Sequence, residues 1–298
     1  MSLSIVLAAL IWSHFHPYKS PWPEQLARQW HAWLLESFNA GQRSQGMLAW
    51  SVGVLLPALA FGFLASMLGQ ALAGLGWAFS VLVLYFVLGF REASFHAAGV
   101  ARALREEDVE RARERLGNWR PGTLRGEDAE SIARLTIEEI LKAALVSLLG
   151  ALFWYFLFGV AGVVAYRLAF LCRELWHDEA EFGVFAVRAC QALDWIPARI
   201  AAFSFAIVGN FQDALESWRG QAHAWGDETQ GILLAAGAGA LGVRLGGNVG
   251  VAGGELLRPT LGLEDAPGAD GIDGAIALVW RAAILWLAVA GLLWLGSL

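Results

Sequence analysis

The chain has 298 residues, 57% of them hydrophobic and 16% charged, with mean hydropathy +0.51 and a formal net charge of −6. Ordinary soluble domains carry about 25% charged residues, so this composition excludes a wholly water-soluble globule, and the acidic balance argues against nucleic acid as a partner. Two cysteines, Cys172 and Cys190, are too few for a disulfide framework.

In chain order, Met1–Ser13 is apolar but shorter than a span and lacks a basic start. His14-Phe-His-Pro-Tyr-Lys follows it instead of a small-residue cleavage site, so it is read as a retained interfacial segment, not a signal peptide. His14 and His16 are read as interface histidines, since no carboxylate accompanies them as metal ligands would require. Leu48 to Phe90 then runs forty-three residues without a charge, interrupted by Gly69-Gln70 and by Gly74 and Gly76. A membrane-crossing helix needs roughly 20 apolar residues, so this stretch reads as two helical spans joined by a tight turn. Within hydrocarbon, helices satisfy every backbone amide internally.

The segment from Arg91 to Lys142 carries ten basic and eleven acidic residues and is the one sizeable water-exposed module. Ala101, Leu104, Val109, Ala112 and Leu116 recur at helical spacing. The pattern predicts a helical hairpin, Ala93–Leu104 and Val109–Gly117, with Asp108 as cap, a Glu107–Arg111 pair, and an end at Gly117 and Pro121. A further helix begins near Ala129 and leads into the uncharged run Ala143–Tyr166. Ala201–Gln212 and Thr229–Val243 are shorter and read as interfacial, re-entrant or half-spans. Ala275–Leu298 is a span interrupted only by Arg281. Trp50, Trp77, Trp154, Trp195 and Trp294 lie near segment ends, as an aromatic belt requires, although a coding bias visible in nineteen Arg against two Lys also favours tryptophan. The fold class is therefore all-α, a polytopic integral membrane protein with a helical-hairpin module. Three regions follow: 1–90, an interfacial segment and transmembrane hairpin; 91–142, the helical module; and 143–298, a C-terminal membrane region of spans and half-spans.

Lys19, Arg28 and Arg43 precede the first hairpin and ten basic residues follow it, while its turn has none. The positive-inside bias places loops 13–46 and 91–142 in the cytoplasm, in a bacterial inner membrane.

Candidate chemistry is sparse. Gly237-Ala-Gly239-Ala-Leu-Gly242 formally matches a dinucleotide-binding pattern, but that pattern counts only after a strand; in an apolar helical context, small residues let helices approach closely. Glu138 stands at the mouth of a span, four residues after Arg134, in a possible i,i+4 pair. Asp194 and Arg199 flank Pro197 in an apolar neighbourhood where charge is expensive, so they are read either as a structural pair or as ligand contacts. No cofactor or metal is predicted.

The landmarks together resemble the CobD/CbiB superfamily, membrane proteins of cobalamin biosynthesis, and its relative AmpE. Ala103-Leu-Arg-Glu-Glu-Asp-Val-Glu-Arg-Ala-Arg113 resembles the family's cytoplasmic hairpin. Arg134 to Glu138 leads into Ala151-Leu-Phe-Trp154 and Ala165-Tyr-Arg167, then Leu193-Asp-Trp-Ile-Pro-Ala-Arg199, then the glycine-rich Ala238–Gly247, then an apolar end. Leu193–Arg199 with Ala206-Ile-Val-Gly209 looks closer to AmpE. The resemblance implies an ATP-driven amide bond between aminopropanol, or its phosphate, and adenosylcobyric acid. It also implies acids for Mg²⁺, in a Glu-Asn-x-x-Asp run where this chain has Lys142, Ala143 and Val146, an Asn-Thr-x-Asp segment where it has Phe170, Leu171 and Arg173, and paired aspartates where it has Cys190 and Gln191. What remains at the family's positions is Glu138, Tyr166, Pro197, Arg199, Arg244 and the glycines.

The expectation that follows is a divergent, small-molecule-binding or AmpE-like signalling member, with Glu138, Tyr166, Asp194, Arg199, Asp213 and Arg244 as ligand-binding candidates and no catalytic residue. The alternative is an active adenosylcobinamide-phosphate synthase. Predicted partners are the lipid bilayer, a corrinoid or cell-wall-related small molecule, and a second copy or a membrane protein.

Overall fold

The structure is a computed structural model and describes residues 2–16, 21–120, 128–251 and 254–296. The described residues are all-α apart from two short antiparallel strand pairs, one nested inside the other. Four helical stretches among the described residues are long and apolar enough to cross a membrane: Arg43–Ala71, Ala73–Arg105, Ala129–Trp176 and Ala269–Leu295. The chain forms two compact units, 1–91 with 146–197 and 92–145 with 198–298. This division joins the 91–142 region to the C-terminal part and so differs from the consecutive three-region reading.

The first unit contains α1 (Ser2–Phe15), α2 (Trp22–Phe38), α3 (Arg43–Trp50), α4 (Leu56–Ala71), α5 (Ala73–Val87), α9 (Gly150–Trp176) and the first part of α10 (Ala180–Val208). The turn of the predicted hairpin falls on Leu72, which leaves helical geometry at φ −152°, ψ 119°. Gly76 packs against Gly69 so closely that an added Cβ would meet its Cα at 2.6 Å; the glycines there serve helix contact. Helix α4 leaves Leu56, Leu59 and Phe63 more than half exposed, the surface a bilayer covers at no desolvation cost.

Helix α1 lies on α5, with Trp12 stacked on Tyr85 and the Tyr85 hydroxyl donating to the His16 carbonyl at 3.1 Å. His14 shares a hydrogen bond with Arg91, which suits an interface histidine. A core of Leu34, Ala49, Val54, Ala169, Cys172, Trp176, Phe182 and Ala186 ties α2 and α3 to α9 and α10. His31 is fully buried beside it; its Nδ1 meets the Ala27 carbonyl, and the Trp176 indole donates to the His31 carbonyl oxygen.

The second unit contains α6 (Phe90–Arg105), α7 (Val109–Trp119), α8 (Ala129–Ala144), the end of α10, α11 (Phe211–Gln221), α12 (Glu228–Leu241) and α13 (Ala269–Leu295). Asp108 caps α7 by accepting from the Arg111 amide at 3.0 Å, as the sequence predicts. The Glu107–Arg111 pair gives way to Arg111–Glu106 at 3.2 Å. The reason is local: Glu107 has φ +59° and precedes the cap, so it is not one helical turn from Arg111. Asp128 caps α8 through the Ser131 amide at 2.9 Å, and Pro121 lies outside the described residues.

The glycine-rich stretch is helical, as the close-packing reading holds. A Cβ on Gly237 would sit 2.5 Å from Leu141 Cδ1, and one on Gly239 would sit 2.3 Å from the Asp213 carbonyl oxygen. Gly242 closes α12 in the left-handed conformation, φ +73°. Beyond it the sequence reading has no strands, whereas the structure has β1 (Arg244–Gly246) antiparallel to β4 (Thr260–Gly262) and β2 (Val249–Val251) antiparallel to β3 (Gly254–Leu256). Three-residue strands rich in glycine carry no alternation that a period-2 search detects.

Candidate functional site

The densest constellation of buried charge in the second unit lies where α8 meets the two hairpins. Glu138 projects from α8 and is 1% exposed. Arg258, on the link between β3 and β4, grips it with both terminal nitrogens, 2.8 Å to Oε2 and 3.1 Å to Oε1. The Gly246 amide donates to Oε1 at 3.0 Å. A bidentate arginine–carboxylate contact fixes orientation as well as charge. Arg258 also donates from Nε to the Gly247 carbonyl, and its guanidinium sits 5.3 Å from the Trp225 ring centroid. The i,i+4 pairing of Arg134 with Glu138 is thus replaced by a contact from 120 residues away.

Arg134, one turn earlier on α8 and 8% exposed, reaches the same loop. Its Nη2 donates to the Asn248 carbonyl at 2.8 Å, and its Nε is buried without a hydrogen-bond partner among the described residues. Gly246 and Gly247 adopt φ +71° and +73°. A Cβ on Gly246 would lie 2.1 Å from the Pro259 carbonyl oxygen, and one on Gly247 would lie 2.5 Å from Arg134 Nη1, so only glycine lets the loop pass over the guanidinium. Arg244, at the start of β1, pairs with Glu130 at 2.6 Å, both side chains being more than a third exposed. The Gln221 side chain closes the far edge by bonding the backbone amide and carbonyl of Gly262.

In the first unit, Asp194 is buried and accepts from the Tyr166 hydroxyl at 2.6 Å, with Arg173 Nη1 at 3.6 Å and Cys190 Sγ at 3.7 Å. Arg199 pairs with Glu228 at 3.5 Å. The predicted Asp194–Arg199 unit is corrected accordingly: five residues along a helix turn the two side chains about 140° apart, and each meets a partner of its own. Asp213 sits in the first turn of α11, bonded to its cap Asn210.

The sequence candidates therefore separate into Glu138 with Arg244 around the hairpins, Tyr166 with Asp194 in the first unit, and Arg199 and Asp213 apart. Sequence reasoning missed Arg258, Asn248, Trp225 and Gln221. An arginine next to Pro259 in a glycine-rich stretch was the available signal.

Two positions where the resemblance implies acids, Arg173 and Cys190, converge on Asp194, and a third, Lys142, pairs with Glu139. No group of three His, Cys, Asp or Glu side chains among the described residues is placed to hold a metal ion. Those positions do not fit Mg²⁺.

A family profile described as CobD/Cbib protein matches residues 5–279. The chain belongs to the CobD/CbiB family. Among curated relatives, the cobalamin biosynthesis protein CobD of Stutzerimonas stutzeri is 38% identical over 254 residues, covering 84% of this chain and 82% of that protein. CobD of Chromobacterium violaceum is 37% identical over 70% of this chain and 69% of that protein. CbiB of Salmonella arizonae is 28% identical over 75% and 74%. No solved structure matches significantly. The CobD/CbiB match spans both units, whereas none of these names bears on the AmpE likeness.

Proposed function

We propose that this chain is an adenosylcobinamide-phosphate synthase, a membrane-embedded ligase of cobalamin biosynthesis that uses ATP to join aminopropanol, or its phosphate, to a carboxyl group of adenosylcobyric acid. The observation that carries the reading is the 38% identity over most of the chain to a protein named for cobalamin biosynthesis. It outweighs the divergent, AmpE-like reading, which rests only on acids missing from positions that the resemblance implies.

In this reaction a carboxylate oxygen attacks the γ-phosphorus of ATP, the bond to the bridging oxygen breaks, ADP leaves and an acyl phosphate forms. The amine then attacks the carbonyl, the C–N bond forms, the C–O bond to phosphate breaks, and the amine gives up a proton. ATP, the acyl phosphate and aminopropanol phosphate are all anionic, so a cationic, preorganised surface is what the chemistry needs. The Glu138–Arg258 clamp supplies the preorganisation by fixing the glycine hairpins over Arg134, and Arg244 supplies an accessible guanidinium. The reading places this surface on the cytoplasmic side of a bacterial inner membrane, where ATP is available, with loops 13–46 and 91–142 on that side.

The test is turnover. Purified protein in detergent is incubated with adenosylcobyric acid, aminopropanol phosphate and Mg-ATP, and the amide is sought by mass spectrometry beside a homologue that retains the acids. Product is the expected result. No product while the homologue turns over returns the divergent reading.

A further inference from the structure

We infer that Arg134 and Arg244, with the glycine loop 246–248 between them, form a phosphate-binding site, and that Glu130 holds its Arg244 half as an internal stand-in for the phosphate. The inference rests on the synthase reading only for the source of the phosphate. Three guanidiniums gather here, those of Arg134, Arg244 and Arg258, against the ion-paired carboxylates Glu130 and Glu138 and, near Arg134, the α8 cap Asp128. Glu138 is consumed by Arg258, and Glu130 engages Arg244. Arg134 has no carboxylate within ion-pair distance among the described residues, although it is 8% exposed and one of its nitrogens lacks a partner. A buried guanidinium held by a backbone carbonyl but by no ion-paired carboxylate is costly unless an anion completes it.

Two further features point to a ligand. Gly247 passes over Arg134 where any side chain would strike Nη1, which keeps the backbone low enough for an anion to approach the charge. Glu130 and Arg134 are four residues apart and share one face of α8, so the carboxylate that holds Arg244 stands next to the unpaired cation. Arg244 and Glu130 are 38% and 37% exposed, so this pair opens without unfolding the core. An incoming phosphate takes the guanidinium from Glu130, as a doubly charged tetrahedral anion binds arginine more strongly than a single carboxylate.

The experiment measures protection against thermal unfolding, by inorganic phosphate and pyrophosphate, of the full chain in detergent. Glu130→Gln, which removes the competitor, is expected to bind pyrophosphate about threefold more tightly. Arg244→Gln and Arg134→Lys are each expected to bind about tenfold more weakly. If Arg134→Lys fails to fold, Arg244→Lys, which keeps the charge but loses the fork, takes its place. No protection of the wild type, or equal affinity in Glu130→Gln and wild type, overturns the inference, because a merely structural Arg244–Glu130 pair predicts no gain when the acid is neutralised.

Turnover separates the sources. In Arg244→Gln, a KM rise confined to aminopropanol phosphate assigns the site to the amine's phosphate, and one confined to ATP assigns it to the nucleotide. The anion-binding pattern without any amide product removes the synthase reading and leaves the phosphate site standing.

Discussion

Neutralising Glu138 leaves the Arg258 guanidinium inside the protein without its counter-charge, and breaking a buried pair in this way costs about 3–5 kcal/mol. Glu138→Gln should lower stability by that order in denaturant titrations in detergent. Glu138→Gln with Arg258→Met should cost clearly less than the two single losses combined; full additivity would show that the clamp is not a unit. The same cycle applied to Asp194 should reveal coupling to Arg173 and none to Arg199, since the recorded ion pairs run Asp194–Arg173 and Arg199–Glu228. His31 offers a pH test. Burial pushes its imidazole below the ordinary histidine value of about 6.5, so above that pH the neutral ring carries no penalty. As pH falls through about 6.5 the unfolded chain takes up the proton first, and stability declines until the folded ring protonates too. Replacing His31 by Leu should flatten stability between roughly pH 7 and pH 5, and an unchanged slope would place the acid sensitivity elsewhere.

Caps and close approaches govern the elements. Asp128 holds the first turn of α8, and the Ser131 backbone amide, as the leading cause, draws its carboxyl below the usual range. Asp128→Ala should cost about 1 kcal/mol and loosen the helix that carries Arg134 and Glu138, seen as faster amide exchange in its first turn. Gly239→Ala forces a methyl against the Asp213 carbonyl and should cost about 1–3 kcal/mol through overpacking. The Asp108 cap was legible in the sequence because it is local: a cap sits three residues from the amide it holds, whereas the glycines expected to make the hairpin turn serve helix contact and the turn itself falls on Leu72. The clamp was not legible, since Glu138 and Arg258 are 120 residues apart and no periodicity links them. Nor were β1 to β4, whose glycines serve the loop geometry and leave no strand pattern. The resemblance located Glu138, Arg244 and Tyr166 as landmarks, but only the coordinates show which side chain each one meets.

For the molecule as a whole, membrane embedding followed directly from composition, because uncharged runs of this length have few other uses. The arginine distribution proposes an orientation in the bilayer, which a fusion experiment tests directly. Alkaline phosphatase fused after Leu72 should be active, reporting a turn outside the cytoplasm, and green fluorescent protein fused after Gly117 should fluoresce, reporting a cytoplasmic module; the reverse pattern would invert the topology. Assigning the phosphate site to the same side as the 91–142 module makes one combined expectation: a soluble nucleotide has to reach Arg244 without crossing the bilayer.

Cys172 and Cys190 are both buried, one in the core with Trp176 and the other against Asp194. The wild-type chain is therefore nearly silent toward water-borne thiol reagents. Spin labels or fluorophores can be attached to single engineered cysteines near the hairpins without first stripping the natural ones, so loop motion around Arg244 can be followed in an otherwise unaltered protein.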